Sequence, residues 1–269
     1  MSKALVNGIT IGYDDVGSGP DALMLVHGHP FDRSMWRPQV EGLAGSGWRI
    51  VVPDLRGYGE SSTVSGKTTL GLFADDIAAL LDFLEVDTAA IGGLSMGGQI
   101  VMEFCRVYRS RVRGVLLAAT FPRAETEEGR RKRIEMAERL EREGMKGYAA
   151  EVLPKMLSAR SIAALPRAAD QVFSMMCQTD PAGAAAALRG RAERPDYEET
   201  LARLAIPALV VVGDQDVFTT RSDADRMQAL LPGSELLWIE GVGHMPNLER
   251  PSDFNDAVRR WLCSIINNQ

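Results

Sequence analysis

The pentapeptide Gly93-Leu94-Ser95-Met96-Gly97 carries the sharpest chemical signal in the chain. A strand-like run, Ala89 to Gly92, precedes it and a helical run follows it, so Ser95 falls on a strand-to-helix turn with a glycine two positions to either side. Small residues at those positions let strand and helix approach closely. The serine hydroxyl is then presented at a helix N-terminus, where the peptide dipole favours developing negative charge. The competing reading is an ordinary glycine-rich turn with an exposed serine.

A serine at its ordinary pKa is a weak nucleophile and needs a base that a third group orients. The sequence holds only three histidines. His244, in Gly241-Val242-Gly243-His244, follows the last strand-like run and precedes the last helical one, at the end of the sheet where Ser95 is expected. His27 and His29 are the rival bases. For the orienting carboxylate, Gly213-Asp214-Gln215-Asp216 follows another strand-like run. Asp216 has the reach to meet the His244 loop, and Asp214 is the fallback, with capping of the bend as its other role. The chain order Ser95, Asp216, His244 is that of α/β-hydrolase triads.

Acyl transfer also needs two N–H donors for a tetrahedral oxyanion. The backbone amide of Met96 is one candidate. The amide of His29, in His27-Gly28-His29-Pro30, is the other, with Gly28 allowing close approach and Pro30 stiffening the loop. His27 and His29 also admit a metal-site reading, because residues i and i+2 share a face of a strand. An open catalytic zinc site wants three protein ligands, however, and only His244 remains as a third histidine.

These residues need a scaffold, and short β-branched runs alternating with segments of helical period predict one: a mostly parallel sheet covered by helices. Strands are expected at Leu23–His27, Arg49–Pro53, Ala89–Leu94, Val115–Ala119, Ala208–Gly213 and Glu235–Ile239. Helices are expected at Ser34–Ala44, Leu70–Leu84, Gly97–Tyr108, Arg221–Leu231 and Ser252–Ile266. Ala4–Asn7 and Ile9–Asp14 flank an Asn7-Gly8 turn and predict an antiparallel hairpin at the sheet edge.

The alternation fails over 123–199, which has no β-branched run. A charged helix start at 125–133 continues through Ile134–Leu157, and Pro154, Pro166, Pro181 and Pro195 are expected to divide the remainder. This divides the chain into a core of 1–122 with 200–269 and a helical insertion of 123–199. The insertion should emerge where open α/β sheets bind ligands, which makes it a cap, or lid. A spacer or dimerisation arm is the alternative. Arg130 to Arg133, followed by Glu135, Glu138 and Glu141, reads as a solvated helix face with charge pairs.

With 30 Lys and Arg against 36 Asp and Glu, the formal charge is −6. A mildly acidic chain without a long basic run argues against nucleic acid or an anionic membrane as partner. No apolar run reaches the length of a membrane span, and no signal-peptide pattern opens the chain. Cys105, Cys177 and Cys263 are odd in number and widely spaced, so reduced thiols in a cytoplasm are expected.

Taken together, the N-terminal hairpin, His-Gly-His-Pro, Val52-Pro53-Asp54-Leu55-Arg56-Gly57-Tyr58-Gly59, the Ser95 turn, the helical insertion, Gly-Asp-Gln-Asp and Gly-Val-Gly-His resemble the α/β-hydrolase fold family. Its carboxylesterase, enol-lactonase and perhydrolase branch is the nearest. The resemblance covers nearly the full chain and implies Ser95 as nucleophile, Asp216 as acid, His244 as base, the His29 and Met96 amides as oxyanion hole, and no cofactor or metal. Two departures stand out: Val-Phe-Thr-Thr follows Asp216 where the family often has a proline four residues on, and Val242 replaces a common alanine. Dehalogenases and epoxide hydrolases of the fold use an Asp nucleophile, so Ser95 disfavours both. Lyases, carbon–carbon hydrolases and hormone receptors of the fold keep the triad.

Phe31, Trp36, Phe121, Met145, Met156, Phe173, Met175 and Met176 are the expected pocket lining, with core packing as their other role. The expected activity is cofactor-independent cleavage of a small to medium carboxylic ester. Lactone cleavage, or perhydrolysis with peroxide in place of water, would use the same triad, and a non-catalytic ligand receptor is the reading from another class.

Overall fold

A computed structural model describes residues 2–267. The chain opens as a hairpin of β1 (Ser2–Val6) and β2 (Ile9–Val16), turned at Asn7 and Gly8, both at positive φ as a two-residue hairpin turn requires. Then come β3 (Asp21–Val26), a 3-10 turn over Arg33–Trp36, α1 (Arg37–Gly42), β4 (Trp48–Pro53), α2 (Leu70–Phe83), β5 (Ala89–Leu94), α3 (Met96–Val107) and β6 (Val112–Ala118). Six helices follow: α4 (Glu127–Glu143), α5 (Met145–Met156), α6 (Ala159–Ala164), α7 (Pro166–Gln178), α8 (Pro181–Arg191) and α9 (Glu198–Ala202). The chain then completes the sheet with β7 (Ala208–Gly213), α10 (Arg221–Leu230), β8 (Glu235–Ile239), α11 (Pro246–Glu249) and α12 (Pro251–Asn267). No helix among the described residues is long and apolar enough to cross a membrane.

The eight strands lie in the order β1-β2-β4-β3-β5-β6-β7-β8. β2 is antiparallel to both its neighbours, and β3 to β8 run parallel, as the alternation of strand and helix predicts. β5 is therefore interior, with β3 and β6 beside it. Side chains alternate between two cores: Met24, Ile91, Leu117 and Val210 pack with residues of α2, α3 and α10, whereas Leu23, Ala90, Leu116 and Leu209 pack with residues of α12.

Two expected helices differ from the reading above. Ser34–Ala44 is not one helix, because Pro38 has no N–H and crowds the carbonyl four residues earlier, so the 3-10 turn ends at Trp36 and α1 starts afresh with the proline in its first turn. Likewise 125–157 is two helices, α4 and α5, separated at Gly144 with φ 74°. Pro154 lies inside α5 near its end, where little helix remains to be broken, while Pro166 and Pro181 each start a helix.

The helices between β6 and β7 are attached in two groups. From α5 and α7, Ala149, Val152, Met156, Val172 and Met176 join the same core as Phe31, Met35 and Trp36. By contrast, Ala137, Leu140, Met145, Ala184, Ala185 and Leu188 form a small core of their own between α4 and α8. α8 is seated on the core by backbone contact: a Cβ on Gly183 would lie 2.7 Å from Gly57 Cα and closer still to its carbonyl oxygen. Thr68 N–H donates to Ala186 O at 3.0 Å on the same face.

Replacing Gly183 by valine forces α8 off the Gly57 turn. Such overpacking should cost about 1–3 kcal/mol, read as a lower denaturation midpoint. Valine at Gly147, whose Cβ would have ample space, should cost less.

Candidate active site

Ser95 joins β5 to α3 with φ 57° and ψ −115°, a conformation rarely open to a residue with a side chain. The close packing of the turn explains the flanking glycines. A Cβ on Gly93 would meet the Gly97 carbonyl and lie 2.6 Å from Gly98 N, and one on Gly97 would lie 2.7 Å from His27 O. The turn is fastened to the end of β6, where Ser95 N–H donates to Ala118 O at 2.9 Å and Thr120 Oγ1 donates to Ser95 O at 2.8 Å.

His244 and Asp216 come together across two loops, with His244 Nδ1 2.9 Å from Asp216 Oδ2 and both side chains buried. Asp216 Oδ1 accepts from Phe218 N–H at 2.8 Å. Burial pushes the Asp216 carboxyl up, but the His244 imidazole and the loop amides outweigh it, so its pKa lies below 3.8. A carboxylate held ionised there fixes the Nδ1–H tautomer and leaves Nε2 as the basic nitrogen. Asp214 is engaged otherwise: its Oδ1 accepts from Gly241 N–H at 2.6 Å and Val242 N–H at 3.3 Å.

The His244 loop depends on a residue that sequence reasoning missed. Buried Glu249 accepts from Gly243 N–H at 2.9 Å and Met245 N–H at 3.4 Å with one oxygen, and from Ser158 N–H at 3.0 Å with the other. His244 N–H itself donates to Met156 O at 3.0 Å. No spacing rule marks Glu249, because its partners are backbone amides, two in the nearby His244 loop and one at distant Ser158.

The two rival histidines have other partners. His27 Nε2 accepts from Leu55 N–H and its Nδ1 lies 2.9 Å from Gly28 O, so it serves as a loop brace. His29 Nδ1 lies 2.8 Å from Tyr58 Oη. Burial lowers the pKa of both, and for His29 the guanidinium of Arg191 adds to the effect. Met96 opens α3, so its amide is among the N–H groups that have no acceptor within the helix. The His29 loop abuts Ser95: a Cβ on Gly28 would lie 3.4 Å from Ser95 Cβ.

A cavity of about 370 Å³ opens onto Ser95 and His244. Its walls are His29, Ala119, Phe121, Val217 and Phe218 from the loops at the strand ends, Gln99 from α3, and Arg133, Tyr148, Val152, Lys155, Met156, Leu188 and Arg191 from α4, α5 and α8. Of the expected lining, Phe121 and Met156 face this cavity. Phe31, Trp36, Met175 and Met176 are instead buried in the core that α5 and α7 share with the sheet, Phe173 packs against its edge, and Met145 is in the α4–α8 core. Apolar bulk marks these residues equally for core or pocket, and the core takes them. Arg130, Arg131 and Lys132 pair with Glu127, Glu135 and Glu128 on the surface as expected, whereas Arg133 turns inward, bonded to Glu125.

Residues 23–257 match the family model described as the alpha/beta hydrolase family. The chain belongs to that family. Among its curated relatives, 3-oxoadipate enol-lactonase 1 of Acinetobacter baylyi is 30% identical over 234 residues, 87% of this chain and 85% of the relative. Two solved structures agree closely with this chain. A thermophilic esterase from Thermogutta terrifontis, studied with malate bound, is 36% identical with a TM-score of 0.94 over 98% of each chain. The enol-lactonase from Burkholderia xenovorans LB400 is 27% identical with a TM-score of 0.90 over 97% of this chain and all of the other.

His27 and His29, buried with pKa values below the ordinary 6.5, set a pH dependence of stability. Below that value the unfolded chain binds protons that the folded chain refuses, so stability should fall as the pH drops from about 6.5 and level off above it. Melting temperatures between about pH 5 and 8 should show this slope, and His27→Gln should flatten it. The Asp216 contribution is present above 3.8 and is lost only at lower pH.

Proposed function

We propose that the protein is a cofactor-independent serine hydrolase of small to medium carboxylic esters. The observation that carries this is the His244–Asp216 contact at 2.9 Å, with His244 and Ser95 lining one cavity. His244 Nε2 takes the Ser95 proton as Oγ attacks the ester carbonyl, and the amides of Met96 and His29 hold the oxyanion. Collapse of the tetrahedral intermediate expels the alcohol, which receives the proton from His244. Water, deprotonated in turn by His244, then releases the acid from Ser95. Asp216 keeps the tautomer and stabilises the imidazolium.

Under this reading, residues 123–199 cap the site, since α4, α5 and α8 supply about half of the cavity wall. The free cysteines fit a reducing cytoplasm. Cleavage of a lactone is the second reading, favoured by the likeness to the Acinetobacter and Burkholderia enol-lactonases; it differs only in that the alcohol stays tethered to the acyl group.

Wild-type protein should hydrolyse p-nitrophenyl butyrate, and Ser95→Ala should lose at least about 10⁴-fold in kcat. A fluorophosphonate should label Ser95 in the wild type alone. Equal turnover by both proteins, or no label, overturns the proposal and favours a binding protein on this scaffold. Asp216→Asn should retain the fold and lose about 10⁴-fold through the wrong tautomer.

A further inference from the structure

Three arginines are more than nine-tenths buried: Arg56, Arg191 and Arg194. Arg56 makes two bonds to Asp76 at 2.8 and 2.6 Å, and Arg194 lies 3.5 Å from Glu125. Arg191 differs. Its Nε donates to Gln99 Oε1 at 3.2 Å, and among the described residues no carboxylate is within ion-pair distance of it. Its charged neighbours are Arg133 and Arg194, both served by the single carboxylate of Glu125. A guanidinium does not escape burial by losing its proton, so this one stays charged among like charges. A buried cation in that state is relieved by an anion.

A second observation points into the same cavity. His29 Nε2 is buried without a hydrogen-bond partner, on a side chain that lines the cavity. Burial keeps the Tyr58 phenol protonated and the His29 ring neutral. The buried Tyr58 hydroxyl has no acceptor other than His29 Nδ1 among the described residues, so the arrangement that satisfies it has Tyr58 Oη–H donating to Nδ1 and the ring proton on Nε2. Furthermore, the lining includes Arg133, Lys155 and Arg191 and no acidic residue.

We propose that Arg191, with the His29 Nε2–H, forms a carboxylate-binding subsite beside Ser95, and that the substrate is an ester or lactone bearing a second, free carboxylate. The identity of the reacting group rests on the hydrolase reading above; the anion seat rests on Arg191 and His29. The planar fork of Arg191 suits a carboxylate better than a point charge would.

Monomethyl glutarate and dimethyl glutarate, followed by the same titrimetric assay, separate the free carboxylate from the reacting ester. Wild type should prefer the monoester, and in Arg191→Met the ratio of the two kcat/KM values should fall about 100-fold. Arg191→Lys should give an intermediate ratio. Binding is read without turnover: glutarate should raise the melting temperature of wild type above a sodium chloride control of equal ionic strength, and should not raise that of Arg191→Met. The variant alone should melt no lower than wild type, because the buried cation is gone. An unchanged ratio, or a glutarate effect equal in both proteins, overturns the subsite. If neither ester is cleaved and Ser95 resists the fluorophosphonate, the hydrolase reading fails, and the glutarate melting shift still decides the anion seat.

Discussion

The backbone at Ser95 is the constraint on which the candidate site depends. A non-glycine residue at φ 57° and ψ −115° costs about 1–3 kcal/mol and persists only where its surroundings over-determine it. Here they do so through β6, which accepts the Ser95 amide and, just beyond its end, supplies the Thr120 hydroxyl to the Ser95 carbonyl. Such support requires β5 to be interior and parallel to β6, and the contact of Gly93 with Gly97 requires α3 to leave β5 at once. The same placement brings the end of β3, with Gly28 and His29, against the serine from the other side. The sheet order is thus the reason residues from five separate strand-end loops share one cavity.

Charge is distributed in two opposite ways around that cavity. At Asp216 and His244 a buried carboxylate has an imidazole and backbone donors, so ionisation is favoured despite burial. At Arg191 a buried cation has an amide oxygen and two phenols near it, but no carboxylate. The first arrangement is complete within the chain; the second is complete only with an anion present. In a chain whose net charge is −6, a cavity lined by Arg133, Lys155 and Arg191 is a local reversal of sign, and it would draw anions from solution past a repelling surface.

What was legible in the sequence follows from how local each signal is. Ser95, Asp216 and His244 each sit in a short pattern tied to a strand end, so the parallel sheet, once read from alternating runs, brings them to one edge. The six parallel strands and the hairpin were legible for the same reason. Arg191 was not, because a basic residue late in a helix usually points to solvent, and only the packing of α8 on Gly57 and α4 turns it inward. Glu249 was hidden because its partners are amides, which every residue has. Phe31, Trp36 and Met145 were assigned to the pocket on apolar bulk, a property that core and pocket share; only tertiary packing separates the two. The breaks at Pro38 and Gly144 were not read, because regular apolar spacing continues on both sides of each.

Glu249 has a consequence for how such proteins can be recombined. Its two oxygens join the loop carrying His244 to Ser158, in the segment between α5 and α6, and the His244 amide is bonded to Met156 in the same stretch. The helical insertion is therefore not a detachable module. A foreign insertion grafted between β6 and β7 would have to present an amide and a carbonyl at the positions of Ser158 and Met156, or it would leave a buried carboxylate short of a donor on the loop that carries the imidazole. Exchange of substrate preference between relatives is then easier by point changes on α4 and α8, whose shared core is separate from this junction, than by swapping the whole segment.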